Sequence, residues 1–354
     1  MNRLYKYTCL VIISMLWIQC TTNQSNVKKE KPKIIIQEVK DTDELDKLKA
    51  FKRIITIGDE VTEVVMALGD SSKIVAIGRT LEFSPNFKRP KVGYKGSLQS
   101  KFMLKHKPDL VLSDIEGNKD SVAINLKEKG VEYFLLKNEF NVNSLKNLIT
   151  KIARILKRKK QAEQINAQID QQLDSIRIIR KKRKDSLRVL YVHARGPEIL
   201  LAAGINTPVD ALIQLAGAKN AASLYEIEGM ARLTVEDMQA INPDFILMSK
   251  KGLASVAGRL YEVPVIFSST AYKLGRIIIY DDYFLLNFGL NSPKVALDLC
   301  KKLYKGQYYA PLPNTIFPTD PLVQQPEKEY IKEENLQKPK QDVGLEDLKG
   351  GGIE

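Results

Sequence analysis

A short glycine-bounded loop at residues 90–98 carries the residue types best suited to contact a ligand. It reads Pro-Lys-Val-Gly-Tyr-Lys-Gly-Ser-Leu, so Tyr94 and Lys95 stand between Gly93 and Gly96. An aromatic ring and a cation on a loop at the edge of an α/β sheet are typical of ligand contacts. The alternative is that Tyr94 packs over a turn, and the residue pattern alone favours neither interpretation.

Other chemistry is sparse in the sequence. Its two histidines, His106 and His193, are far apart, and neither HxxxH nor CxxC spacing occurs. An all-protein zinc or manganese site is therefore not expected. Because the GxSxG, GxxxxGK[ST] and GxGxxG motifs are also absent, we expect no enzymatic activity and no catalytic cofactor.

An internal repeat predicts two similar lobes with a ligand cleft between them. The phrase Lys-Pro-Asp-Leu-Val-Leu at 107–112 returns as Asn-Pro-Asp-Phe-Ile-Leu at 242–247. Each copy follows an amphipathic segment bounded by glycines, at 58–69 and 204–217. Such segments have the start and stop signals of helices.

Short β-rich runs alternate with helical stretches in both halves, which predicts α/β lobes with parallel-rich, Rossmann-like sheets. The predicted strands are 54–57, 73–77, 110–113, 131–136, 188–192, 245–248, 263–267 and 277–280. The predicted helices are 61–68, 98–105, 121–129, 208–215, 235–240 and 292–304.

One long backbone helix is predicted to join the lobes. Residues 144–182 contain no Gly or Pro, and their apolar residues recur at helical spacing. If continuous, this helix is about 58 Å long. A coiled-coil dimer is the alternative, but charges at the e and g positions do not support it, so we expect a monomer.

The N-terminus predicts export. Arg3 and Lys6 precede an apolar run that is too short to span a bilayer and ends near Cys20. We expect a signal peptide at 1–19 and lipid attachment at Cys20, whereas the alternative is an ordinary cleaved signal. Cys300 would then be the one free cysteine, so an internal disulfide is not expected.

The predicted organisation follows from these features. A lipid-anchored tether occupies 20–50, the N-terminal lobe 51–142, the backbone helix 143–184 and the C-terminal lobe 185–308. The Pro-rich tail at 309–354 is predicted to be disordered. The net charge is +13, concentrated partly in basic runs at 157–160 and 180–184. These runs are a solvated helix face or a contact for anionic lipid or ligand, and no nucleic-acid-binding module accompanies them.

From about residue 54 to 304, the chain resembles the substrate-binding proteins of bacterial haem-uptake ABC transporters. They form a branch of the helical-backbone class that also includes cobalamin and siderophore binders. The matching stretches are residues 62–69, Val92-Gly93-Tyr94, the Pro-Asp strand starts, 212–217 with Asn220, and Leu-Leu-Asn-Phe-Gly at 285–289. Val-Gly-Tyr and the last stretch resemble the haem branch in particular.

The resemblance implies that Tyr94 is the ligand of the haem iron. Phenolate is a hard oxygen donor suited to ferric iron, and Lys95 would assist its deprotonation or pair with a haem propionate. His193, on a strand that leads into Arg195 and a Gly-Pro turn, is the candidate second iron ligand. Tyr225, Met230 and Arg232 are weaker candidates for lining the cleft.

The resemblance also implies docking to an ABC permease, with its ATPase, through one acidic residue on each lobe. Glu63, at the start of a helix expected to be exposed, matches the first position. The second position is Gln214, so Asp210 one turn earlier would substitute for it. After Gly289 the chain continues with Leu290-Asn291, where the haem branch usually has Pro-Arg.

The leading hypothesis is therefore an extracytoplasmic lipoprotein on the periplasmic side that captures hemin for an importer. A corrinoid or ferric-siderophore binder of the same class is the first alternative. A tetrapyrrole metal chelatase of similar two-lobed shape, or a scaffold or adhesion lipoprotein, is less consistent with these features.

Overall fold

The first lobe contains a four-stranded parallel sheet. The computed structural model describes residues 45–78, 87–93, 98–114, 119–183 and 186–305. The strand order is β2-β1-β3-β4, with β1 at Ile54–Ile57, β2 at Ile74–Ile77, β3 at Leu110–Ser113 and β4 at Glu132–Leu135. Every residue of β1 and β3 is buried, as is usual for a parallel sheet covered on both faces.

In the described part of this lobe, four helices cover the sheet: α1 at Asp59–Ala67, α2 at Ser100–Leu104, α3 at Lys119–Glu128 and α4 at Val142–Leu156. Helices α1 and α4 share one buried apolar cluster with Ile54 and Leu110. Helices α2 and α3 share another with Ile55 and Val111. Successive residues of β1 and β3 thus face opposite layers, as the period of two in a strand requires.

Helix α5, at Lys159–Lys181, joins the two lobes. Its first half packs in the core of the first lobe through Ala162, Ile165 and Ile169. Its second half packs in the core of the second lobe through Ile176 and Ile179. The single linking helix predicted from the sequence is confirmed, but its 23 residues give about 34 Å instead of 58 Å.

The expected continuous helix is wrong because the chain turns between α4 and α5. Lys157 has a left-handed conformation, with φ of 61°, and its ammonium donates to the carbonyls of Leu45 and Asp46. Arg158 donates to the buried carboxylate of Asp70, with Nη2 and Oδ1 2.7 Å apart. These contacts hold the turn, so part of the basic run at 157–160 is bound by the first lobe.

After this turn, α5 runs antiparallel to α4. Lys146 Nζ lies 2.8 Å from Asp170 Oδ1, and Asn166 Nδ2 lies 3.4 Å from Thr150 Oγ1. The lobes are thus joined by the second arm of a helical hairpin whose first arm belongs to the first lobe.

The second lobe contains a six-stranded mixed sheet. Its main order is β10-β9-β5-β6-β8, with β7 also paired to β5. The bounds are β5 Arg188–Ala194, β6 Leu200–Ala203, β7 Lys219–Asn220, β8 Met230–Arg232, β9 Phe245–Ser249 and β10 Ile277–Tyr280. Strands β7, β9 and β10 belong to the parallel part, whereas β6 and β8 are antiparallel additions at one edge.

Its helices are α6 at Pro208–Leu215, α7 at Val235–Ile241, α8 at Lys250–Ser255, α9 at Pro264–Phe267, α10 at Thr270–Lys273, α11 at Asp282–Leu286 and α12 at Ser292–Lys305. Local sequence explains several starts. Thr207 caps α6, whose first residue is proline, and Thr234 forms a capping box with Asp237 at α7. Such side chains accept hydrogen bonds from backbone N–H groups of the first turn, which have no partner within the helix.

The repeated Pro-Asp phrase performs the same structural task in each lobe. The Asp109 carboxylate accepts the backbone N–H of Arg53 at 2.9 Å, just before β1. The Asp244 carboxylate accepts that of Arg188 at 2.7 Å, at the start of β5. Each of these arginines also donates to two carbonyls ahead of its Pro-Asp pair. The repeat therefore aligns the start of the central strand with its neighbour in both sheets.

One predicted strand is wrong. Residues 263–267 contain the short helix α9, because Pro264 occupies the first helical position and Val263 is the extended residue before it. The sequence analysis also missed β6, β7 and β8, which are short and gain their extended form from pairing with neighbours.

Candidate functional site

The described start of the glycine-bounded loop lies at the carboxyl end of β2. Residues 90–92 extend the sheet beside β2: Ile77 N–H donates to Pro90 O, and Val92 N–H donates to Ile77 O, both at 2.9 Å. Gly93 follows with φ of 128°, which favours glycine. Tyr94 and Lys95 lie outside the described residues. Val92 and Leu98, on either side of them, are buried in the same apolar cluster.

His193 stands at the corresponding end of β5 in the second lobe. It is half-buried, and its Nδ1 lies 3.2 Å from the hydroxyl of Tyr191. Burial lowers the pKa of His193, and the nearby Arg195 adds to this effect against an opposing contribution from Asp282. The imidazole is therefore neutral at neutral pH, and in the tautomer that donates from Nδ1 to the Tyr191 hydroxyl its Nε2 keeps a lone pair able to bind a metal.

Sheet register places Met230 and Arg232 on the same face as His193. His193 pairs with Leu201 and Leu201 pairs with Arg232, so His193 and Arg232 are two strands apart, or about 10 Å. Arg232 and Met230 are exposed. The predicted residues thus combine a nitrogen donor, a cation and an apolar thioether on one surface.

The two remaining predicted residues of the second lobe lie at different ends of β5. Arg195 directly follows β5 and His193, and it is exposed. Tyr225 is half exposed, and its hydroxyl is bonded to the carbonyl of Ala240 at 2.5 Å. The next carbonyl, that of Ile241, accepts from Arg188 at the start of β5, so Tyr225 lies toward the amino end of this strand and away from His193.

Glu63 is not on an exposed helix face, and that expectation is wrong. Its side chain is 1% exposed and accepts hydrogen bonds from three groups of the second lobe: the Tyr283 hydroxyl, the Leu290 N–H at 2.9 Å and the Asn291 amide at 3.2 Å. The start of α1 is buried because the segment of the second lobe that contains Tyr283, Leu290 and Asn291 covers it. To meet a permease, Glu63 would have to leave these bonds.

Asp210 is also buried, which the docking expectation did not foresee. Its carboxylate accepts from Asn220 at 2.9 Å, Ser223 at 2.7 Å and Gln214 at 2.9 Å. All three donors belong to the second lobe, so the carboxylate joins α6 to the chain around β7. Gln214, the direct counterpart of the predicted docking position, is exposed.

A cluster of carboxyl groups surrounds the start of α1. Burial raises the pKa of Asp114 well above its ordinary value, and the nearby Glu60 and Asp59 raise it further. Gly58 beside it has a φ of 108°, a conformation that residues with side chains rarely adopt, and a Cβ there would also lie 1.9 Å from Asp114 Oδ1. Within the described residues, no group of three or more His, Cys, Asp or Glu side chains has the arrangement of a metal site.

A contact between the lobes, which the sequence does not predict, involves the segment around Leu290. Leu290 belongs to the second half of the chain but is fully buried in the apolar core of the first lobe. Asn138 Nδ2 donates to Phe288 O at 3.1 Å across the same junction. The Leu-Leu-Asn-Phe-Gly stretch was noticed as a family resemblance, but its role in joining the lobes has no signature in a single sequence.

Comparison with known proteins defines the class. The chain belongs to the periplasmic binding protein family, whose sequence profile matches residues 54–284. Members of this family are extracytoplasmic solute-binding proteins, as the sequence resemblance predicted. No helix among the described residues has the length and apolar character needed to cross a membrane.

Solved structures of periplasmic haem-binding proteins resemble this fold. RhuT from Roseiflexus sp. RS-1 is 26% identical, with a TM-score of 0.64 over 72% of this chain and 98% of RhuT. BhuT in complex with two haems is 29% identical, with a TM-score of 0.65 over 73% and 99%. HutB of Vibrio cholerae is 27% identical, with a TM-score of 0.63 over 71% and 98%. A search of curated protein sequences found no significant match.

Proposed function

We propose that this protein is an extracytoplasmic receptor that captures hemin between its two lobes and delivers it to an ABC permease with its ATPase. One observation carries the proposal: three haem-binding proteins match the fold over nearly their whole lengths at 26–29% identity. The protein binds and transfers its ligand without catalysing a reaction, and haem is cargo rather than a cofactor.

Tyr94 is the proposed ligand of the haem iron. Its neighbour Gly93 is held at the carboxyl end of β2 by the pairing of residues 90–92 with Ile77, which is the edge where α/β lobes bind ligands. Tyrosine is an established axial ligand of haem, and the charge of ferric iron favours the phenolate. The positive charge of Lys95, next to Tyr94 in the chain, would stabilise the phenolate or pair with a haem propionate.

The second lobe supplies the proposed partners. His193 is neutral at neutral pH because burial lowers its pKa, so it is suited to bind the iron from the opposite side. Arg195 and Arg232 are exposed guanidinium groups that match propionate carboxylates. Met230, which is exposed, provides apolar contact for the macrocycle.

Membrane attachment completes the proposal. The family is extracytoplasmic, and Cys20 stands between the apolar N-terminal run and the polar segment that follows. We propose that residues 1–19 are removed and Cys20 is acylated, which leaves a tethered monomer. Replacing Cys20 with serine should move the mature protein from the membrane fraction to the soluble fraction, and an unchanged distribution would contradict the anchor.

Titration of the mature protein with hemin tests the ligand. We expect a saturable change in the Soret band, and Tyr94→Phe should shift the band and weaken binding at least tenfold because the iron loses its phenolate. Tyr261→Phe is a matched control, since Tyr261 is half exposed on the second lobe. An unaltered hemin spectrum, with binding of a cobalamin or ferric siderophore instead, would contradict the haem assignment.

A further inference from the structure

The lobes meet at a second junction besides α5, formed by Glu63 and the segment 283–291. Glu63 Oε1 accepts hydrogen bonds from the Tyr283 hydroxyl and the Asn291 side-chain amide, and Oε2 accepts one from the Leu290 N–H. Gly289 lies so close that a Cβ there would be 2.1 Å from Oε2. With Leu290 buried in the core of the first lobe, this carboxyl is at the centre of the contact.

The surroundings of Glu63 oppose a negative charge. The other titratable groups around it are Glu60 and Asp59 on its own helix, Asp114 beyond them, and Tyr283 on α11. Burial raises the pKa of Glu63 to about 7, with Glu60 adding to the rise, although its three hydrogen-bond donors partly oppose it.

The geometry can also accommodate a protonated carboxyl. Asn291 Oδ1 is buried without a hydrogen-bond partner in the described part of the chain. Rotation of the Asn291 amide would present this oxygen to a Glu63 O–H, and the Tyr283 hydroxyl can accept as well as donate. A cavity of about 10 Å³ lined by Glu63, Tyr283 and Asn291 is close to the room that one water needs.

We propose that Glu63 is a proton-dependent lock between the lobes, closed when its carboxyl is neutral and weakened when it ionises. If the junction opens, water reaches the carboxyl and the proton is released to solvent. The proposal concerns the junction alone, so it holds whichever ligand the cleft binds.

The direction of the pH effect follows from linkage. A carboxyl whose pKa is higher in the closed state than in water binds more protons when closed. Its contribution to closure is fully present below the pKa in water, about 4.5, and is lost as the pH rises through about 7. Between these values the closed-to-open ratio falls about tenfold per pH unit, and above pH 7 it levels off.

Hydrogen exchange at the Leu290 amide measures the lock in the full mature chain. We compare the wild type with Glu63→Gln at the same pH, which cancels the intrinsic pH dependence of exchange. The quantity compared is the protection of the Leu290 amide in the wild type divided by its protection in Glu63→Gln. This ratio should be about 25-fold lower at pH 8 than at pH 5.5. Glu163→Gln, which changes an exposed carboxyl on α5, should keep the wild-type behaviour.

A second measurement follows the Glu63 carboxyl itself, whose titration midpoint is read in the wild-type protein. Carbon NMR of the labelled wild type should show one glutamate side chain titrating near pH 7, which Glu63→Gln identifies by its loss. A wild-type Glu63 that titrates near pH 4.5, or Leu290 protection that does not fall with pH, would overturn the proposal.

Discussion

Helix α1 of the first lobe and helix α6 of the second lobe each carry a buried carboxyl group, but the hydrogen-bond partners of the two groups differ. Asp210 on α6 is bonded to Asn220, Ser223 and Gln214 within its own lobe. Glu63 on α1 receives its donors from the opposite lobe. Similar helices in a repeated fold can therefore have separate roles: α6 stabilises its own lobe, whereas α1 connects the two lobes.

The largest expected effect comes from Leu290→Ala, which removes the apolar part of the junction. Loss of a fully buried leucine should cost about 3 to 4 kcal/mol, and it should separate the unfolding of the two lobes in urea, followed by circular dichroism. Leu212→Ala on α6 is the control, because Leu212 is buried in the core of the second lobe alone. If both variants reduced the coupling between the lobes equally, Leu290 would have no special role at the junction.

A smaller effect is expected from Asp210→Ala. The change leaves buried donors around β7 without an acceptor, so the second lobe should lose about 2 kcal/mol while coupling to the first lobe persists. Asp210→Asn keeps one acceptor oxygen and should lose less. Urea unfolding that shows a first-lobe defect instead would mean that Asp210 is not confined to its own lobe.

The smallest expected effect is on pH dependence. Because the folded pKa of Glu63 is about 7, above its ordinary value of 4.5, its contribution to the free energy of unfolding should be about 1 kcal/mol greater at pH 6 than at pH 7. Glu63→Gln should remove this difference, whereas Asp210→Asn should retain it. Chemical denaturation of the three proteins at both pH values compares them, and an identical pH response in all three would contradict the assignment to Glu63.

Much of the fold could be predicted because local sequence and tertiary structure agree. The pattern located β3 at Leu110–Ser113 and α6 at Pro208–Leu215, where apolar runs coincide with clear start and stop residues. It failed at 263–267, where an apolar run of strand-like composition begins with a helix-starting proline. It also missed the turn at Lys157, which depends on Asp70 and other distant partners.

Less of the candidate site could be predicted. The pattern and the resemblance predict His193, Met230 and Arg232 as ligand contacts, which stay predictions; the second sheet places the three on one face. The burial of Glu63 was missed because its partners lie more than 200 residues away in the chain. Contacts of that range leave no spacing pattern in a single sequence.

A crystal structure of the hemin complex would show directly whether Tyr94 binds the iron. We expect one porphyrin between the lobes, with its iron bonded to Tyr94 Oη and its propionates near Lys95, Arg195 or Arg232. Hemin bound elsewhere, or iron in the cleft without a bond to Tyr94, would refute Tyr94 as the iron ligand.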